Sequence, residues 1–335
     1  MSHRGTDGSA ASPRLATARA CANIAFVKYW GNRDAALRLP YNSSLSMNLH
    51  AATTTTSVVF DQPPGRDSVE INGTPAGAEA LERVSKHLDL VRRLGGLSAG
   101  ATVQSENTFP MGAGIASSAS GFAALTCAAA VAAGLDLDER RLSALARRGS
   151  GSAARSVPTG YVEWHAGTDD DSSYAESIAP PDYWDLTDLV AVVSRAHKAL
   201  GSTDGHAAAE ASPLFRARIK SMDATFALMR DALFGRDLAR LGEMMEAEAL
   251  SLHAIAMTGT PSALYWTGGT VELLSSVRQW RDAGLPVYFT LDAGPNVHMV
   301  CESAHAPDVE REARRLHFVD HVLMNRPGPG VAVLD

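Results

Sequence analysis

The sequence predicts an α+β protein of two lobes with a cleft between them. Three observations carry this. The chain has 335 residues, more than a single core comfortably organises. Strand-type segments crowd its first half. Helical periodicity dominates the second half, so strands and helices do not alternate as they would in a parallel α/β fold.

Residues 1–14, MSHRGTDGSAASPR, are polar, lack an apolar signal core and read as a disordered tail. Residues 15–195 are expected to form the first lobe and 196–335 the second. Ala16–Asn32 passes from alternating to apolar, as a strand entering a core does. Thr53–Phe60 and Ser68–Gly73 read as a pair of strands, with Asn72-Gly73 the turn signal. A helix follows over 79–94, then a strand over Ala101–Asn107. The next helix, Ser117 to Ala133, is apolar all round, which marks a buried helix, and Gly134 stops it. Asp138 starts another, with Leu142, Leu145 and Ala146 inward and Arg147-Arg148 suited to its C-terminal end. Thr159–Gly167 and Asp188–Ser194 read as strands.

Ser212-Pro213 is a helix start. Phe215, Ile219, Met222, Phe226, Met229 and Leu233 recur at spacings of four and three, the pattern of an amphipathic helix. Helices near 238–253 and 270–283 follow. Val287–Asn296 reads as a strand closing in a sharp turn, and His298–Glu302 as its return.

Composition narrows the function. Hydrophobic residues make up 45% and charged residues 20%, ordinary for a globular chain. A net charge of −7 opposes nonspecific nucleic-acid binding, which draws on basic surface. No apolar run reaches the roughly 18 residues of a membrane span. Cys21, Cys127 and Cys301 are far apart, and that sparse count fits a reducing cytoplasm. The histidines His197, His206, His253 and His298 show no metal-ligand spacing.

Four stretches could carry chemistry. Asn107–Ala124, NTFPMGAGIASSASGFAA, runs into an apolar helix. Gly112 and Gly114 would let the backbone approach an anion, Ser117, Ser118 and Ser120 add hydroxyls, and the helix N-terminus points its amides at the same spot. It lacks the Gly-Lys-Ser/Thr ending of a P-loop, and a serine-capped turn explains it equally well. Arg147–Ser156, RRGSGSAARS, sets Ser150 and Ser152 near Arg155, whose fork can hold a carboxylate or phosphate. A solvated helix connection is the plainer alternative. Lys28 follows an apolar run directly, where an unpaired charge is costly, unless it snorkels to an edge. Asp292 ends an apolar strand before Ala-Gly-Pro-Asn, as a general base or as an ordinary turn aspartate.

Together ANIAFVKYWGNRD, NTFPMGAGIASSASGFAAL, RRGSGSAARS…GYVEW and LDAGPN resemble, in order, the motifs of the mevalonate diphosphate decarboxylase branch of the GHMP kinase superfamily. The likeness covers about residues 17 to 334. It implies the GHMP kinase fold, with a ribosomal-S5-like N-terminal lobe, an α+β C-terminal lobe and the site between them. It implies ATP and Mg²⁺, with the triphosphate on Gly112, Gly114, Ile115, Ala116, Ser117 and Ser118, and the last two near the metal. It implies that Asp292 orients or deprotonates the tertiary 3-hydroxyl of a phosphorylated mevalonate. Arg155 would grip the substrate carboxylate, Lys28 would offset charge beside Asp292, and Asn23 would hold that network. Tyr29, Ser150, Ser152 and Ser202 match positions that contact the substrate's phosphate end. The family often forms homodimers.

Three positions, Asn32, Thr203 and His206 (the last in place of a methionine), depart from the family pattern. Its K-Y-W-G-K motif ends in a lysine that faces the substrate diphosphate, and Asn32 stands there. A later S-x-x-G-M motif reads Ser202-Thr203-Asp204-Gly205-His206, with Thr203 where some members have arginine. Met257–Trp266 and Ala146–Ser150 also resemble archaeal-type phosphomevalonate decarboxylases. A lost cation predicts (R)-5-phosphomevalonate as substrate and isopentenyl phosphate as product. Diphosphomevalonate decarboxylation and a 3-kinase that stops after phosphorylation are the alternatives.

Overall fold

The computed structural model describes residues 14–109, 117–194 and 201–334. The tail expected over 1–14 lies outside these, Arg14 excepted. The chain opens with β1 (Ala16–Val27), a hairpin of β2 (Asn32–Asp34) and β3 (Leu39–Pro40), and the long β4 (Ser44–Gln62). A second hairpin, β5 (Ser68–Ile71) and β6 (Thr74–Pro75), precedes α1 (Ala78–Gly95), β7 (Gly100–Asn107), α2 (Ser117–Ala132) and α3 (Glu139–Gly149). Three strands follow, β8 (Tyr161–Trp164), β9 (Ala175–Ala179) and β10 (Leu186–Val192), then four helices, α4 (Ser202–Ala208), α5 (Phe215–Gly235), α6 (Leu238–Thr258) and α7 (Gly268–Asp282). The chain closes with β11 (Tyr288–Thr290), β12 (Val297–Glu302), α8 (Ala306–Arg314), β13 (His321–Asn325) and β14 (Ala332–Leu334).

The first sheet has the order β14-β1-β4-β7-β5-β6, with β8 and β9 continuing beside the start of β4. At 19 residues, β4 is long enough to pair with β8 through Ser44–Met47 and with β7 from Thr54 onward. Burial alternates along Thr53–Phe60 and turns Val58 and Phe60 toward α1 and α2, and their core also takes Leu88, Val91 and Phe122. The α2 helix is buried along nearly its whole length, as its apolar sequence requires.

One expected pairing is corrected. Thr53–Phe60 does not pair with Ser68–Ile71, because β7 lies between them, antiparallel to β4 and parallel to β5. Parallel neighbours need a crossover, and α1 supplies it. The Asn72-Gly73 turn is present, with φ of 50° and 72°, and it joins β5 to β6.

The second sheet has the order β11-β12-β10-β13. One face packs on α7 and α8, through Leu273, Val277, Val309 and Ala313. The other meets α5 and α6, and the same core reaches Ile24, Phe26, Leu45 and Met47 of the first sheet. Continuous apolar packing therefore links the two sheets and fixes the floor between them. Two strands cross the division expected at 195 and 196. β10 stands inside the second sheet, and β14 returns to pair with β1. Among the described residues no helix is long and apolar enough to cross a membrane.

Candidate active site

A cavity of about 570 Å³ opens between the sheets. It is reached by the end of β1 (Lys28, Tyr29), the β2–β3 hairpin (Arg38), α1 (Arg83, Lys86), the start of α2 (Ser117, Ser118), the turn after α3 (Ser150, Ser152, Arg155), the start of α4 (Ser202) and the loop after β11 (Asp292). Ten of the residues singled out by sequence are thus accounted for: nine on this cavity and one, Asn23, just behind it. Gly112, Gly114, Ile115 and Ala116 lie outside the described residues.

Lys28 and Asp292, 264 positions apart, meet at 2.9 Å from Nζ to Oδ1. Lys28 is 1% exposed and the aspartate 23%, so the carboxylate keeps an open side. Burial pushes the Asp292 carboxyl up, but the charges of Lys28, His298 and Arg155 outweigh it and hold the group below the usual carboxylate range. Burial pulls Lys28 down, and Asp292 opposes that shift. The loop after β11 is tight: Gly294 N–H donates to Asp292 O at 2.7 Å, and His253 Nε2 lies 3.2 Å from the same oxygen.

Arg155 is held from behind. Its Nε donates to Asn23 Oδ1 at 3.1 Å, and its Nη1 to Ser44 Oγ at 2.9 Å. The Asn23 amide in turn donates to Ser152 O and to Ser156 Oγ. Asn23 therefore sets Arg155 from behind the cavity, its three partners absorbing both ends of its amide. Burial lowers the Arg155 guanidinium to about 10, which leaves it charged at neutral pH.

A row of hydroxyls joins the two ends of the cavity. Ser150 Oγ donates to Ser118 Oγ at 3.2 Å and lies 3.4 Å from Ser152 Oγ. Gly151 between them lets the Tyr29 ring close in, since a Cβ there would sit 2.6 Å from it. Tyr29 donates to Asn32 Oδ1, so the amide oxygen at position 32 is engaged by the tyrosine. His206 stacks between Tyr29 and Trp30, at centroid distances of 4.1 and 4.6 Å. Gly31 N–H donates to its Nδ1 at 2.9 Å, and burial pushes the imidazole down to about 3, so it is neutral.

Beside the Ser117 end lies a second hollow of about 170 Å³, shared through Arg83, Ser117 and Ser118 and walled by Val69, Ile71 and Val103. No sequence signal pointed to it, because its walls come from five elements.

Sequence reasoning also missed the support behind Lys28. Glu248 Oε2 accepts from Lys28 N–H at 3.1 Å and from Arg218 Nη2 at 2.8 Å. Arg218 donates as well to Lys28 O. A signal existed: Arg218 falls between Phe215 and Met222 on the buried stripe of α5. Arg147, expected at a solvated helix end, is fully buried. It donates to Leu37 O at 3.0 Å and pairs with Asp170, which ties the β2–β3 hairpin down.

The chain matches the family models for a diphosphomevalonate decarboxylase-like N-terminal domain over residues 20–175 and a mevalonate 5-diphosphate decarboxylase C-terminal domain over 188–323. It is 37% identical over 297 residues to the phosphomevalonate decarboxylase of Haloferax volcanii, covering 88% of this chain and 90% of that protein. It is 36% identical over 302 residues to the diphosphomevalonate decarboxylase of Homo sapiens, covering 84% and 75%. Among solved structures, the mevalonate diphosphate decarboxylase from Enterococcus faecalis superposes with a TM-score of 0.90 at 36% identity, covering 97% of this chain and 100% of that one. A complex of MDDEF with MVAPP, AMPPCP and magnesium gives a TM-score of 0.92 at 36% identity, over 97% and 100% of the two chains. Two domain models in tandem, on the GHMP kinase fold and with relatives matched over most of their length, lead to one assignment: the chain belongs to the mevalonate diphosphate decarboxylase family.

Proposed function

We propose that the protein is an ATP- and Mg²⁺-dependent decarboxylase of a phosphorylated mevalonate. One observation carries this reading: the Lys28–Asp292 pair and Arg155 open onto the same cavity as the start of α2. A base, a carboxylate grip and a phosphate seat are the three parts such a reaction needs.

The residues fit the nucleotide and its metal. The α2 N-terminus offers free amides and a partial positive charge to phosphate oxygens. The apolar hollow beside it suits a flat heterocyclic base. Magnesium takes hard oxygen ligands, which Ser117 and Ser118 can add to those of the phosphates. When bound, it neutralises charge on the phosphoryl group in transit. The glycine-rich part of the loop, Gly112, Gly114, Ile115 and Ala116, is proposed from sequence alone.

Asp292, ionised and facing the cavity, accepts the proton of the 3-hydroxyl as its oxygen bonds to the γ-phosphorus. The bond from that phosphorus to the ADP oxygen breaks. Lys28 offsets the charge that gathers between the aspartate and the phosphoryl group. The phosphorylated tertiary oxygen then leaves as phosphate, taking the C3–O electron pair. Arg155 holds the C1 carboxylate in place while the C1–C2 bond breaks. That bond's electrons become the C2–C3 double bond, and CO₂ departs.

The preferred substrate is (R)-5-phosphomevalonate, giving isopentenyl phosphate. The amide at Asn32, tied to Tyr29, stands where the family motif carries a lysine toward the second phosphate. Tyr29, Ser150, Ser152 and Ser202 would meet the remaining phosphate. Parallel assays of CO₂ release with mevalonate, its 5-phosphate and its 5-diphosphate test this. The higher kcat/KM should belong to the 5-phosphate, and a higher value for the 5-diphosphate overturns the preference. CO₂ and ADP should appear one to one. ADP without CO₂ would make the protein a kinase.

A further inference from the structure

We propose that Arg38, at the tip of the β2–β3 hairpin, is the cation that receives the substrate's 5-phosphate in place of the lysine missing at position 32. The assignment rests on the proposed function and names a residue that no motif marks.

The first support is position. Arg38 lines the cavity together with Tyr29, Ser150, Ser152 and His206. Its charge acts on its neighbours there: it opposes the burial that pushes the Tyr29 phenol up to about 12, and it helps keep His206 neutral.

The second support is availability. The other cations on the cavity are placed for other work: Arg83 lies over the Phe122 ring and also lines the second hollow, on the nucleotide side. Lys28 is paired with Asp292, and Arg155 gives Nε and Nη1 to Asn23 and Ser44. Farther along, Lys86 is paired with Glu82. Arg38 donates from Nε to Arg148 O at 3.1 Å, and among the described residues its two Nη groups meet no hydrogen-bond or ion-pair partner. Two Nη groups without such a partner form the edge of the guanidinium fork that grips a phosphate.

The third support is the backbone. Arg38 has φ of 52°, the left-handed region that favours glycine. Such a conformation on a bulky residue persists only where the surroundings enforce it, and it gathers at functional sites. Here the enforcement is reciprocal. Arg147 Nε donates to Leu37 O at 3.0 Å while Arg38 Nε donates to Arg148 O, and Asp34 Oδ1 accepts from Leu37 N–H at 2.8 Å. Glycine would make this turn more easily. An arginine at a glycine-favouring corner, clasped on both sides and aimed at a cavity, has its explanation in what it binds.

Calorimetric titration of 5-phosphomevalonate into the wild type, Arg38→Gly and Arg38→Lys tests the assignment, with thermal unfolding of each. Arg38→Gly should weaken binding by about 10- to 100-fold, the worth of a charged hydrogen bond. Its Tm should not fall, since glycine relaxes the turn. Arg38→Lys should recover part of the affinity. In steady-state assays the loss should appear in KM for 5-phosphomevalonate and not in KM for ATP. Unchanged binding of 5-phosphomevalonate overturns the assignment. A rise confined to KM for ATP also overturns it, because the partner is then a nucleotide phosphate. A wild type that binds 5-phosphomevalonate and loses that affinity in Arg38→Gly, yet releases no CO₂, would sink the proposed reaction and leave this contact standing.

Discussion

Arg218 and Glu248 form an ion pair of 2.8 Å, 3% and 7% exposed, that brackets the peptide of Lys28. The lysine that meets Asp292 is thus positioned through its backbone by charges from α5 and α6. Removing one partner of a buried pair strands the other. Glu248→Ala should therefore cost about 3–5 kcal/mol in equilibrium denaturation. A loss below about 1 kcal/mol would mean that the pair is solvated and that Lys28 is held by other means.

Asp292→Asn keeps the shape of the turn and removes the proposed base. Turnover should fall by about 10²- to 10⁴-fold, the range for general acid–base catalysis. Nucleotide affinity should be retained, because the α2 N-terminus and its serines are untouched. Rapid-quench measurement of ADP formation beside nucleotide titration checks both halves. Unaltered turnover would remove Asp292 from the reaction.

Two buried histidines should set the acid limit of stability. Burial pushes His87 down to about 4 and His206 to about 3, from an ordinary 6.5. Between those values and 6.5 the unfolded chain carries protons that the folded chain does not. Stability is therefore fully present above pH 6.5 and is lost as pH falls through this window. At pH 5 each histidine should cost about 2 kcal/mol relative to pH 7. His206→Met should remove about half of that slope in denaturation midpoints followed from pH 7 to 5. An unchanged slope would mean that His206 becomes charged within the fold.

Much of this site could be read from sequence because its residues sit where local patterns break. Lys28 ends an apolar strand, Asp292 precedes a Gly-Pro turn, and Arg155 follows a serine pair. Each is a polar residue in an apolar or tightly turned context, and each reaches the cavity. What could not be read depends on contacts across the chain. β7 inserts between β4 and β5 because α1 carries it over, a choice that no strand pattern records. Arg38 looks like one more hairpin charge until the clasp with α3 fixes its direction. Arg147 resembles a helix-end charge, and only the folded loop at Asp170 and Ser173 shows it to be buried.

The last prediction restores the family's cation. In Asn32→Lys the amide that accepts from Tyr29 is replaced by an ammonium group. A charged hydrogen bond to the substrate's distal phosphate is worth about 1.5–3 kcal/mol. The ratio of kcat/KM for the 5-diphosphate over the 5-phosphate should rise by about 10- to 100-fold. The Tyr29 hydroxyl loses its acceptor in this variant, so kcat/KM for the 5-phosphate should fall at the same time. The double variant Asn32→Lys/Arg38→Gly separates the two cations. If each meets a different phosphate, the gain for the 5-diphosphate survives without Arg38, while affinity for the 5-phosphate is lost. If both meet the same phosphate, the lysine compensates for the missing arginine and the two substitutions cease to be additive.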